Sequence, residues 1–86
     1  MWPSFLLISC DVNKNFEVAE KLNKINEVEQ AIPVYGLYDC LVKTKNLTSE
    51  NIMNLVSQYI RELKHVHSVV ALYDTSPNLL RAHVRW

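Results

Sequence analysis

From Val28 to Lys43 the chain reads Val-Glu-Gln-Ala-Ile-Pro-Val-Tyr-Gly-Leu-Tyr-Asp-Cys-Leu-Val-Lys, and this stretch decides the fold. Val28, Ile32 and Val34 interleave with Glu29, Ala31, Pro33 and Tyr35, a pattern that predicts a strand. Pro33 has no amide to donate, so the strand belongs at a sheet edge. Gly36, the only glycine of the chain, comes next, and then Tyr38, Cys40 and Val42 alternate with Asp39, Leu41 and Lys43 as a further strand. A hairpin joins the two, with glycine supplying the positive φ that other residues resist.

Working outward, Ser4 to Cys10 is apolar at both parities, Phe5 and Leu7 on one side and Leu6, Ile8 and Cys10 on the other. A strand of that kind is covered on both faces. Between it and the hairpin, Asn13 to Asn26 places Phe16, Ala19, Leu22 and Ile25 three apart, with Val18 widening the stripe. This predicts an amphipathic helix capped by Asn13 or Asn15. After the hairpin, Thr48-Ser49-Glu50 marks a second helix start, and Ile52, Leu55, Val56, Tyr59, Ile60 and Leu63 recur at helical spacing. Val66 to Tyr73 reads as a strand apolar on both faces. Leu80, Ala82, Val84 and Trp86 alternate with Arg81, His83 and Arg85 as an additional C-terminal strand.

Two strand-helix-strand halves joined by a hairpin predict an α+β, ferredoxin-like βαββαβ fold, one domain over residues 1–86, with both helices on one face of an antiparallel sheet. The helices account for only half of the apolar strand positions. The other half predicts sheet-to-sheet packing between two subunits, a dimeric αβ-sandwich or barrel.

Nine basic and nine acidic residues among 86 cancel, which removes the field that supplies most non-specific nucleic-acid affinity, so direct DNA binding is not expected. Cys10 and Cys40 lack metal-type spacing and are too few for a disulfide framework, which reads as reduced and cytoplasmic. The start Met1-Trp2-Pro3-Ser4 lacks a basic signal-peptide region, and no apolar run approaches the ~18 residues of a membrane span.

Chemistry-bearing residues are few. His65 and His67, two apart, with His83 as a third, have the spacing of some metal sites, but histidines at a helix-to-strand turn are more often solvated or hydrogen-bonded, and no metal is expected. Cys10 and Cys40 read as small core hydrophobes. No serine has a glycine-flanked nucleophile setting, and a chain with one glycine makes no phosphate loop, so neither catalysis nor a cofactor is expected. Tyr35-Gly36-Leu37-Tyr38-Asp39 stands out, because a carboxylate opening a central strand is expensive to bury without donors.

Val34-Tyr35-Gly36-Leu37-Tyr38-Asp39, following the helix Phe16-Glu17-Val18-Ala19-Glu20-Lys21-Leu22 and the strand Val28 to Val34, carries a V-x-G-x-Y-D pattern. In this the chain resembles the effector-binding (RAM) domain of the leucine-responsive and asparagine-operon (Lrp/AsnC) family of prokaryotic regulators, from about Ser4 to Asp74. The usual helix-turn-helix is missing ahead of Ser4, so the expectation is a stand-alone domain. The resemblance implies homodimers, assembling further into tetramers or octamers, that bind an amino acid or related small molecule between dimers. It also implies heteromers with helix-turn-helix relatives, and transcription modulated indirectly. The G-x-Y-D turn lines that site in the family. The ligand-binding residues implied here are Tyr35, Gly36, Leu37, Tyr38 and Asp39, joined by Ser68, Val69 and Ala71 of the last strand. Typical members open that strand with G-V-x-x-T-x-T, where this chain has His65-Val66-His67-Ser68-Val69-Val70-Ala71. Each hydroxyl lost from a buried site removes on the order of 1 kcal/mol of hydrogen bonding. A more apolar ligand, or none, is therefore expected. The rival readings are a small dimeric αβ-barrel enzyme, monooxygenase-like or heme-handling, with its pocket between helices and sheet, and a purely structural oligomer. In the enzyme reading that layer must be open, yet Phe16, Leu22, Ile52, Leu55, Val56, Tyr59 and Ile60 are expected to fill it.

Overall fold

The computed structural model describes residues 2–72 and orders them as β1 (Trp2–Cys10), α1 (Asn15–Leu22), β2 (Val28–Pro33), β3 (Cys40–Leu47), α2 (Ser49–Leu55) running into a π-helical turn (Val56–Ile60), and β4 (Val66–Leu72). The sheet is antiparallel with strand order β2-β3-β1-β4, so the two-faced apolar strand β1 is central and both β2 and β4 are edges. This is the expected α+β, ferredoxin-like arrangement. The additional strand over Leu80 to Trp86 lies outside the described residues.

Alternation along each strand divides the sheet into two faces. Leu6, Ile8 and Cys10 of β1, Cys40 and Val42 of β3 and Val28 and Ala31 of β2 are buried beneath the helices, against Val18, Ala19, Leu22, Ile52, Leu55 and Ile60. Val66, Val69 and Ala71 of β4 pack on the same core. Thr44, wholly buried in this layer, accepts from the Ser4 amide at 2.9 Å and donates to the Lys45 carbonyl, so its hydroxyl is satisfied on both counts.

Three local departures from simple periodicity fix which residues face inward. In β2 a bulge between Val28 and Gln30 switches the alternation, so Ala31 is buried and Ile32 turns to the other face, the reverse of the expected pairing of Val28 with Ile32. In α1 the inward stripe is Asn15, Val18, Ala19 and Leu22, at i, i+3, i+4 and i+7, and Phe16 is left 63% exposed. Neither asparagine caps this helix. Lys14 holds the cap position without a side-chain bond, Asn13 has a left-handed φ of 64°, and Asn15 is the first, buried helical residue. The helix also stops four residues before the expected Asn26, because the Asn23 side chain donates to the carbonyls of Ala19 and Ala31 and accepts from the Ala31 amide at 2.8 Å, clipping the helix end to β2.

The third departure follows α2. Thr48 caps it, accepting from the Asn51 amide at 3.1 Å. Thr48→Ala is expected to cost about 1 kcal/mol, read as a lowered urea midpoint with unchanged slope. Beyond Leu55 the Arg61 amide reaches back to the Val56 carbonyl, an i to i−5 bond at 2.9 Å. The extra residue in the turn carries Tyr59 out to 53% exposure and brings Ile60 fully into the core. Phe16 and Tyr59 therefore do not fill the helix–sheet layer as expected; Leu22, Ile52, Leu55 and Ile60 do.

Candidate functional site

Among the described residues two features are left uncovered. The first is the open sheet face. Phe5 and Leu7 of β1, Leu41 of β3, Ile32 of β2 and Val70 and Leu72 of β4 share it, paired across strands as Leu7 with Leu41 and Val70, and Phe5 with Leu72. Ile32, Val70 and Leu72 are more than a third exposed. Phe5, Ile32 and Leu41, with Gln30 and Lys43, enclose a shallow hollow of about 320 Å³ on this face.

The second is the end of the sheet where β2 turns into β3. The Val34 amide donates to the Asp39 carbonyl at 2.8 Å, closing a loop in which Tyr35 and Leu37 are almost wholly exposed. Gly36 at its centre has a φ of 153° and open space around its Cα, so the backbone angle is what selects glycine there. Asp39 anchors the loop to β1 twice: its amide donates to the Ile8 carbonyl at 2.8 Å, and its carboxylate accepts from the Cys10 amide at 2.8 Å. One carboxylate oxygen is thus committed to holding the loop. From the other side the Asn15 side chain donates to the Val34 carbonyl at 3.2 Å, so α1 braces the same loop.

Of the other residues expected at a ligand site, Ser68 lies opposite Ser9 at the same end of the sheet, exposed and on the open face. Val69 and Ala71 pair with Ile8 and Leu6 and point into the helix-side core. The structure therefore brings Tyr35 to Asp39 and Ser68 to one end of the sheet, separated by β1, about 10 Å across two strand spacings. It turns Val69 and Ala71 to the opposite face. Asn15 and the Cys10 amide, both essential to the loop's position, escaped the sequence reading. Asn15 had one signal, a polar residue in phase with Val18, Ala19 and Leu22, whereas nothing local marks a backbone amide as the partner of a carboxylate 29 positions away.

Beneath the loop lie the two thiols. Cys10 and Cys40 are free and buried, on adjacent central strands. Cys40 donates to the Asn15 carbonyl at 3.3 Å. Burial pushes the Cys40 thiol up to about 12 and raises Cys10 as well, so both are protonated thiols rather than nucleophiles.

The histidines gather at the β4 side of this end. His65 Nδ1 is 2.7 Å from one Asp11 carboxylate oxygen, His65 Nε2 is 3.3 Å from Glu17, and His67 Nε2 contacts the other Asp11 oxygen. Hydrogen bonds from His65, then from His67, hold the Asp11 carboxyl below the usual carboxylate range. Among the described residues no set of three or more His, Cys, Asp or Glu side chains is arranged to hold a metal ion, and no helix is long and apolar enough to cross a membrane.

No protein-family model matches the chain, and no curated protein does. Solved structures do. The chain is 30% identical to the hypothetical protein PHS023 from Pyrococcus horikoshii, over 84% of this chain and 87% of that one, with a TM-score of 0.75. It is 30% identical to FFRP-DM1, over 84% of this chain and 96% of that one, with a TM-score of 0.74. More distantly, it shares the fold of E. coli AsnC, at 18% identity and a TM-score of 0.73. The likeness covers 81% of this chain and 48% of AsnC. The same holds for the transcriptional regulator NMB0573 from Neisseria meningitidis, solved as an L-Met complex, at 16% identity and a TM-score of 0.69, over 86% of this chain and 51% of that one. The chain thus spans about half the length of these two regulators.

Proposed function

We infer, for a chain that belongs to one family with PHS023 and FFRP-DM1 and has the fold of the Lrp/AsnC regulators, a role as a ligand-responsive oligomerisation module. It acts on transcription indirectly, by binding an amino acid or related small molecule and by co-assembling with helix-turn-helix relatives. The observation that carries this reading is the uncovered sheet face. Six apolar side chains of four strands lie there in register, on a domain too small to hide them within its own core. A second copy packed face to face removes them from water and leaves the Tyr35–Asp39 loop at the rim of the pair, where further dimers meet.

The ligand follows from the loop's chemistry. Backbone amides around Gly36 suit a carboxylate, the Asp39 oxygen not engaged by Cys10 suits an ammonium, and the exposed Tyr35 and Leu37 suit an apolar side chain. Ser68 is the one hydroxyl that the start of β4 offers at this end. The L-Met bound to NMB0573 has these three parts, which supports an apolar amino acid as the first ligand to test. The helix–sheet layer, where an αβ-barrel enzyme keeps its pocket, is filled by Leu6, Ile8, Leu22, Ile52, Leu55 and Ile60, each no more than 2% exposed, which supports binding over catalysis.

Sedimentation velocity of the full chain tests the assembly. A dimer or a multiple of dimers at micromolar concentration is expected, with the distribution moving toward larger species when L-methionine is added. A monomer at every concentration, with or without amino acids, would sink the reading.

A further inference from the structure

The histidine cluster holds a constraint that the ligand reading does not use. A neutral imidazole has one N–H and one lone pair, so it can donate from one nitrogen only. His65 nevertheless has a carboxylate oxygen at each ring nitrogen, Asp11 at 2.7 Å from Nδ1 and Glu17 at 3.3 Å from Nε2, and its side chain is only 16% exposed. The Asp11 contact is a hydrogen bond and the Glu17 contact an ion pair; both are favourable when the ring carries two protons, and in the neutral ring one of them sets a lone pair against a carboxylate. His67 adds a second imidazole on the other oxygen of Asp11.

The elements joined are three. Asp11 sits in the turn between β1 and α1, Glu17 on α1, and the histidines at the start of β4. The backbone prepares the contact: the Asp11 amide donates to the His65 carbonyl at 2.9 Å, and His65 has a left-handed φ of 79°. The other charged groups around His65 are Lys14, Glu20, Lys21, Lys24 and Lys64, which with Glu17 and His65 line a surface groove of about 590 Å³. The lysines oppose a second proton on the ring, but the ion pairs of Asp11 and Glu17 run to the histidines. Direct contact outweighs charges screened across an open groove.

We propose that Asp11, Glu17, His65 and His67 form a proton-gated clamp, which ties the β1–α1 turn and α1 to the start of β4 when His65 is doubly protonated and releases one of them when it is neutral. The sign follows from the partners. Both ring contacts hold while His65 carries two protons, and one of them is lost when it gives one up. The Asp11 contribution, with its carboxyl held low, is lost only as pH falls through that lowered value. Above that limit the clamp is closed for as long as the ring keeps both protons. Because α1 braces Val34 through Asn15, opening it loosens the support of the β2–β3 loop.

Long-range 1H–15N NMR of the ring nitrogens in the full chain, between pH 5 and 8, tests the clamp. Glu17→Gln is expected to lower the proton affinity of His65 about two- to fivefold, the usual range for a partly exposed ion pair. Asp11→Asn should lower that of both histidines. The amides of Asp11 and Glu17 should shift with the His65 midpoint. Glu29→Gln, which breaks the exposed pair with Lys43 instead, should leave both histidines unchanged. If Asp11→Asn fails to fold, Glu17→Gln on the exposed helix surface still decides. A His65 titration unmoved by Glu17→Gln, amides that do not follow it, or an equal shift in Glu29→Gln would overturn the proposal.

Discussion

Replacing Leu7 by Glu is expected to dissociate the assembly to single chains while leaving the fold intact. Leu7 lies at the middle of the open face, opposite Leu41 on one side and Val70 on the other. In an isolated chain a glutamate there stays in water. In a face-to-face dimer it is taken into an apolar layer with no cation beside it, at a cost of several kcal/mol per ion. Each ~1.4 kcal/mol is tenfold, so the dimer should weaken about a thousandfold or more. Light scattering across a concentration series reads the mass directly, and far-ultraviolet circular dichroism shows whether the fold survives. Gln58→Glu, an equal charge change on the exposed side of the π-helical turn, should leave the mass unchanged. An unaltered oligomer in Leu7→Glu would place the interface elsewhere.

Ile60→Ala is expected to destabilise the domain by about 2–5 kcal/mol, and Tyr59→Ala by about 1 kcal/mol or less. Ile60 is completely buried and Tyr59 is 53% exposed, in a turn from Val56 to Ile60 that holds one residue more than an α-helical turn. In a regular helix continuing from Ile52 and Leu55 both positions lie on the apolar stripe, position 59 nearer its centre and position 60 nearer its margin. A small effect at Tyr59 beside a large one at Ile60 is therefore what separates the π-helical turn from a regular helix. At roughly 4–8 °C per kcal/mol for a domain of this size, the first variant loses at least ~8 °C in midpoint. The comparison is best made in the Leu7→Glu background, where subunit association does not contribute.

That turn also shows where the sequence stops being legible. The apolar runs of β1 and β4, the Thr48 cap, the edge position of the proline-bearing β2 and the hairpin at Gly36 could all be read, because each is set by neighbours within a few residues. The bulge in β2 and the π-helical turn could not. Each adds one residue to a regular element, and each is favoured only by what it then buries, Ala31 in one case and Ile60 in the other. Phe16 was misplaced for a related reason. Apolarity alone favours it for the core, but Asn15 takes the inward position because the Val34 carbonyl needs a donor there.

At the site, the segment from Tyr35 to Asp39 was legible as a unit, while its anchoring was not. Asp39 is held by a backbone amide of β1, and replacing it with Ala leaves the Cys10 amide unpaired, at about 1–3 kcal/mol. Any loss of ligand response in that variant must therefore be judged against its own lowered baseline. Asp39→Asn keeps an acceptor for Cys10 and removes only the charge, which separates anchoring from recognition.

The most direct test of a ligand-responsive module is a thermal-shift panel of amino acids, L-methionine first, on the full chain and on Asp39→Asn. A ligand at ~100 times its Kd adds about 2.7 kcal/mol to the bound state, which is a midpoint increase of roughly 10 °C or more. An increase of that order in the parent chain, reduced or lost in Asp39→Asn, is the predicted result. A panel without any shift in the parent chain, or a shift that Asp39→Asn retains in full, would contradict ligand sensing at this loop and leave a structural oligomer in which Asp39 serves only to hold β1.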